Sequence, residues 1–219
     1  MNNKHITIIV SIIVFSFVLG IVFNDIYFGF LALSSGTLNI YLQAKGKSSN
    51  YIFGCIYNLV NAYISYINNL YGLFILSLLL YLPLNIIGFI SWNKSKDSNN
   101  NIEFRKFERK KSIIIIIISI LTSILFGTIL GINPRQKLEF LDATSNILNI
   151  FGMILLNRRL NEGWYILLSN NIVDLIIWAI NLLNNTNNSY MMFVVSIMYL
   201  TINIYGIYKW KNCERIKMH

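Results

Sequence analysis

The chain has 219 residues, of which 55% are hydrophobic and only 12% charged, where a soluble domain carries roughly 25% charge. Its formal net charge is +9. The apolar stretches leave too little chain for a soluble domain, which excludes a nucleic-acid module built on a basic surface patch.

Apolar stretches of about 17–25 residues cross a bilayer as helices. Eight are predicted in chain order: 6–23, 27–43, 49–67, 71–92, 112–131, 140–157, 162–183 and 189–210. Lys4 precedes the first, but its apolar core exceeds the roughly 7–15 residues of a signal-peptide core and no small-residue cleavage site follows. It is expected as a retained helix. Residues 1–92 form a first transmembrane repeat. Residues 93–111 read as a cytoplasmic linker, with Asn99, Asn100 and Asn101 in its middle and Arg109, Lys110 and Lys111 at its end. That basic run reads as an anchor at lipid headgroups. Residues 112–219 hold a linking helix, the second repeat and a tail. The isoleucine run 113–118 would read as strand in a soluble protein, but lipid admits only helices or closed barrels, so a helix is expected. Gly127 and Gly131 have the spacing that lets helices pack closely.

Charge sets the orientation. With both termini in the cytoplasm, inside segments hold sixteen Lys and Arg, and outside loops only Arg135 and Lys137. Positive charge stays inside, and the split requires an even number of spans. The expected location is the plasma membrane, with several passes through it.

The chain also repeats itself. Residues 81–92 read YLPLNIIGFISW and residues 199–210 read YLTINIYGIYKW, 118 positions apart. At an offset of 113, Lys45 falls on Arg158, Tyr51 on Trp164, Asn58 on Asn171 and Asn61 on Asp174. Each half has four helices, so equivalent helices run in the same direction and the repeat is parallel, about an axis along the membrane normal.

Positions i, i+4, i+7 and i+11 share a helix face. Such stripes hold Tyr81, Asn85, Gly88 and Trp92; Tyr199, Asn203, Gly206 and Trp210; Tyr51, Asn58, Asn61 and Ser65; and Trp164, Asn171, Asp174 and Trp178. Amides are costly to bury unpaired, so four aromatic-and-amide faces suggest a polar ring between the halves. Asn85 lies about 10 Å along its helix from Trp92. Trp92 and Trp210, at span ends, are expected as interface anchors, and the glycines as packing notches. Asp174 is the one acid deep in a span; Asp25, Glu139, Asp142 and Glu162 fall at span ends.

Enzyme chemistry finds no foothold. Cys55, Cys213, His5 and His219 form no metal-ligand or nucleophile spacing. Lys45-Gly46-Lys47-Ser48 lacks the glycine and the setting of a phosphate-binding loop. No cofactor, metal or nucleic acid is implied, and the chain is not expected to be an enzyme.

At these residues the sequence resembles the PnuC family of vitamin-precursor transporters. The resemblance rests on AKGKSSNYIFG at 44–54, Tyr71-Gly72 and the Tyr81–Trp92 motif. In the second half it rests on Leu141-Asp142-Ala143-Thr144, Arg158-Arg159, Glu162, Trp164, Asn171 and the Tyr199–Trp210 motif. It covers about residues 30–212. It implies an all-α polytopic membrane protein of eight transmembrane helices, with SWEET-like three-helix bundles joined by a linking helix and 6–23 as an extra N-terminal helix. It also implies facilitated uptake of nicotinamide riboside, trapped inside by a cytoplasmic kinase. Thiamine, riboflavin or deoxynucleosides are alternatives within the family, and a substrate-capturing subunit of an ATP-driven complex is an alternative class. A homo-oligomer is left open. Carried over by position, the site involves Asn58, Asn85, Trp164, Asn171 and Asn203. The stripes add Asn61, Tyr81, Asp174, Trp178 and Tyr199 as expected substrate contacts. Two positions depart from the family pattern: Leu167 stands where a second Trp is usual, and Asp174 where Ser is common.

Overall fold

A helix satisfies its own backbone hydrogen bonds, so long apolar stretches that must leave water adopt it. The computed structural model describes residues 3–95, 109–186 and 188–217. These fold into eight long helices: α1 Asn3–Val22, α2 Phe28–Ala44, α3 Asn50–Ile67, α4 Tyr71–Lys94, α5 Arg109–Leu130, α6 Glu139–Asn157, α7 Gly163–Leu183 and α8 Ser189–Lys217. By length and composition, four of them can cross a membrane: α4, α6, α7 and the Ser189–Lys211 part of α8. Ile6–Val22 and Ile117–Leu130 are shorter apolar helices.

The differences from expectation lie at helix ends. Helix α5 starts at Arg109, so the basic run is helical backbone rather than linker, and α8 continues past Trp210. The expected linker residues 96–108, with Asn99, Asn100 and Asn101, and His219 lie outside the described residues, as do the side chains of His5, Arg109, Lys110, Lys111 and Cys213.

Six helices close into a cycle. Helix α2 packs on α3, α3 on α4, α4 on α6, α6 on α7, α7 on α8, and α8 back on α2. Helix α1 lies against α2, and α5 against α6. Gly127 of α5 gives the close approach, since Phe140 of α6 occupies the space a Cβ would need.

Helix α4 is not uniform. Ser77–Tyr81 form a π-helical turn in which Leu82 N bonds to Ser77 O. The cause follows in the sequence. Pro83 has no N–H, and its ring crowds the carbonyl four residues back. The helix relieves this by widening one turn. That turn carries Ser77 and Tyr81 into buried positions.

Trp92 and Trp210 are fully buried rather than set at a lipid interface. Trp92 Nε1 donates to Leu156 O at 3.0 Å, and Trp210 Nε1 to Ala44 O at 3.2 Å. The Trp210 indole satisfies a carbonyl at the end of α2, whereas Leu156 O takes the Trp92 indole as a second donor beside Arg159 N at 2.8 Å. Tyr51 packs edge-on to Trp92 at 5.1 Å and Trp164 edge-on to Trp210 at 5.5 Å. Trp92 and Trp210 themselves lie 6.1 Å apart. The four rings come from α3, α4, α7 and α8, and the two indole hydrogen bonds tie α4 to the C-terminal end of α6 and α8 to that of α2.

The motif glycines receive these rings. Gly88 faces Tyr51, and at Gly206 a Cβ would come within 2.7 Å of the Trp164 ring. Gly206→Ala is therefore expected to destabilise the protein by about 1–3 kcal/mol through overpacking. Thermal unfolding in detergent checks this, and an unchanged melting temperature would contradict it.

Asp142 is fully buried, although its place at a span end gave no sign of this. Its carboxylate accepts from the N–H groups of Gly72 at 3.0 Å and Leu73 at 3.1 Å, the exposed donors at the start of α4. It also accepts from Gln136 Nε2 at 2.8 Å and Asn146 Nδ2 at 2.7 Å. Asp25 plays a similar part at α2, accepting from Gly29 N at 2.8 Å and Asn188 Nδ2 at 2.6 Å.

Candidate functional site

A narrow cavity lies inside the cycle, and all six of its helices contribute side chains. Helix α3 gives Tyr57, Asn58 and Asn61; α4 gives Tyr81 and Asn85; α7 gives Asn170, Asn171, Asp174 and Trp178; α8 gives Tyr199. Asn39 and Gln43 of α2, Ser145 and Asn149 of α6 and Ser196 of α8 complete the polar lining.

On the first-half side, Asn85 Nδ2 donates to Tyr81 O at 2.9 Å. Its Oδ1 faces Gly54, as does Asn39 Nδ2; a Cβ on Gly54 would lie 2.5 Å from each. Asn39 Nδ2 also donates to Asn50 O at 3.0 Å. Gly54 thus leaves room for two amides to reach the cavity. Tyr81 is fixed behind them, its hydroxyl donating to Asn146 Oδ1 at 2.7 Å.

On the second-half side, Asp174 accepts from Ser145 Oγ and, at 3.0 Å, from Asn170 Nδ2. Tyr57 and Tyr199 pack at 5.6 Å between ring centres. Leu167 fills the wall and rests against Gly152.

Among the residues expected from the sequence, Trp164 and Asn203 do not line the cavity. The Trp164 ring belongs to the aromatic cluster against Trp210 and Gly206. Asn203 sits behind Asn171. With its amide set by its neighbours, its nitrogen donates to Trp164 O at 3.0 Å. Its oxygen accepts from Asn171 Nδ2 at 3.0 Å and Leu168 N at 3.2 Å. Asn203 orients Asn171. Asn58, Asn61, Tyr81, Asn85, Asn171, Asp174, Trp178 and Tyr199 are all in the wall.

The stripes missed Asn39, Gln43, Ser145, Asn149, Ser196, Tyr57 and Asn170. A signal was present, since Asn39 with Gln43 and Ser145 with Asn149 are i, i+4 pairs of polar residues on apolar helices.

The lining offers amides, hydroxyls, aromatic faces and one carboxylate. Among the described residues it contains no Lys, Arg or His. Among the described residues, no three His, Cys, Asp or Glu side chains stand close enough to hold a metal. Such a wall can hydrogen-bond the edges of a small polar aromatic molecule and cover its faces.

The family model described as nicotinamide mononucleotide transporter matches residues 26–212. The chain is 29% identical over 203 residues to the nicotinamide riboside transporter PnuC of Neisseria mucosa, covering 90% of this chain and 76% of that protein. It is 27% identical over 189 residues to the nicotinamide riboside transporter PnuC of Haemophilus influenzae, covering 85% and 80%. A crystal structure of the vitamin B3 transporter PnuC shares the fold, with a TM-score of 0.82 at 24% identity over 97% of this chain and 92% of that one. With a family match across most of its length, the chain belongs to the nicotinamide mononucleotide transporter family, the PnuC proteins, and is a membrane transporter rather than an enzyme.

Proposed function

We propose that the chain carries nicotinamide riboside into the cell by facilitated diffusion, with phosphorylation inside keeping the gradient inward. The observation that carries this reading is the cavity wall: amides and aromatic rings from all six helices, with no basic side chain among the described residues. A phosphate brings about −1.5 to −2 charges. Without a cation to receive it, and with Asp174 nearby, a mononucleotide is disfavoured against the riboside. The pyridine ring can lie against tyrosine faces while the amides read its carboxamide and the ribose hydroxyls. Calorimetry on purified protein with nicotinamide riboside, nicotinamide mononucleotide, thiamine, riboflavin and deoxynucleosides tests this. The riboside should bind most tightly; tightest binding by any other compound would replace it as the substrate.

Asn85→Ala should weaken riboside binding by about 1–3 kcal/mol, the cost of losing an amide that reads a substrate edge. The melting temperature of the unliganded protein should hold. Intact binding with impaired folding would make Asn85 interhelical glue instead.

The eight-span, parallel two-repeat reading, with SWEET-like bundles, draws support from the packing. The neighbour order α1–α2–α3–α4 recurs as α5–α6–α7–α8, and the α4–α6 contact has its counterpart in α8–α2. Cytoplasmic termini draw support from the charge split. Cysteine labelling at position 100 from the inside only is the expected result; labelling from outside would overturn the orientation.

A further inference from the structure

Among the described residues, Asp174 is the one carboxylate in the cavity wall. Both of its oxygens accept hydrogen bonds: Ser145 Oγ of α6 donates to Oδ1, and Asn170 Nδ2, one turn earlier on α7, donates to Oδ2 at 3.0 Å. An ionised carboxylate only accepts, so two donors suit that form and fix its orientation. An acid at this depth needs a cationic partner, water or a proton, and among the described residues the lining supplies no Lys, Arg or His.

A second atom in the same wall points the same way. Asn170 spends its Nδ2 on Asp174, while its Oδ1 is buried with no hydrogen-bond partner in the protein. An unpaired buried acceptor is costly, and a ligand N–H would satisfy it.

We propose that Asp174 is the charge-selecting residue of the site, holding the positively charged ring of the substrate while Asn170 Oδ1 accepts from the ring's carboxamide N–H. The inference rests on the riboside reading above. Nicotinamide riboside has a fixed pyridinium charge, which a carboxylate and aromatic faces both favour. The reduced riboside has nearly the same outline and the same carboxamide but a neutral ring. The site should therefore discriminate between two molecules that differ chiefly in charge.

The test is calorimetric binding of both forms to the purified parent, Asp174→Asn and Asp174→Glu, with unliganded melting temperatures recorded alongside. The parent should prefer the cation by at least about tenfold. Asp174→Asn should lose at least about tenfold for the cation and less than about threefold for the neutral form. Asp174→Glu should keep the preference for the cation. Equal affinity of the parent for the two forms would overturn the proposal without any variant. So would an equal loss of both forms in Asp174→Asn, which is the signature of a purely interhelical hydrogen bond. A folded parent that binds neither form would overturn the riboside reading first, and this inference with it.

Discussion

Asp142→Ala is expected to remove about 3–5 kcal/mol of stability, enough to leave little folded protein when the whole fold is worth about 5–15 kcal/mol. The carboxylate is fully buried and accepts from Gly72 N, Leu73 N, Gln136 Nε2 and Asn146 Nδ2. Alanine leaves the N–H groups of Gly72 and Leu73 without a partner, while Gln136 Nε2 keeps Lys137 O and Asn146 Nδ2 keeps the backbone oxygen of residue 142; each buried orphan costs about 1–3 kcal/mol where neither water nor relaxation rescues it. The loss is also topological. Gly72 and Leu73 open α4, whereas Asp142 stands in the first turn of α6, so the contact ties α4 to α6 at one end of the cycle. Asp142→Asn keeps one acceptor oxygen and should fall between parent and alanine. Melting temperature and monodispersity in detergent measure the effect. An alanine variant that melts with the parent would mean that α4 starts without this cap.

Gly54→Leu is expected to abolish riboside binding, a loss of at least about 100-fold, by filling the cavity. A Cβ there already comes within 2.5 Å of Asn39 Nδ2 and Asn85 Oδ1, and a full leucine must displace both amides. The second half shows what a leucine needs at this position. Leu167, 113 residues later, lines the same cavity, and the space beside it is Gly152, which matches Asn39 at the same offset. The two halves thus pair large with small in opposite order: Asn39 with Gly54, Leu167 with Gly152. The double variant Gly54→Leu with Asn39→Gly should therefore recover part of any lost melting temperature without recovering binding. Binding that returns with the second substitution would show that the cavity tolerates the leucine and that the loss came from strain alone.

The helices were legible because each must bury a long apolar run, and their bounds moved by three residues or fewer except at the end of α8, which runs seven further. The π-helical turn at Ser77–Tyr81 was not read, although Pro83 marks its cause. Trp92 and Trp210 were misplaced for a definite reason. A span-end tryptophan ordinarily meets lipid headgroups, but here the carbonyls of Leu156 and Ala44 lie opposite the indole N–H groups. That juxtaposition depends on packing between helices far apart in sequence. Asp142 escaped notice likewise, since nothing local shows that the start of α4 lies beside it. Face arithmetic grouped Asn85 with Tyr81 and Asn171 with Asp174, and the cavity wall holds all four. It could not tell which flank of a broad polar face turns inward. Asn203 shares a stripe with Tyr199, but its side chain meets Asn171 and the α7 backbone. Trp164 shares one with Asn171, but its ring meets Gly206.

Uptake of labelled nicotinamide riboside into sealed vesicles containing this chain alone tests the central claim most directly. The account predicts saturable entry that needs no ATP and stops when inside and outside concentrations are equal. It also predicts continued accumulation when a riboside kinase and ATP are enclosed, and no comparable entry of nicotinamide mononucleotide. Riboside entry that requires a partner ATPase, or no entry at all by folded protein, would contradict it.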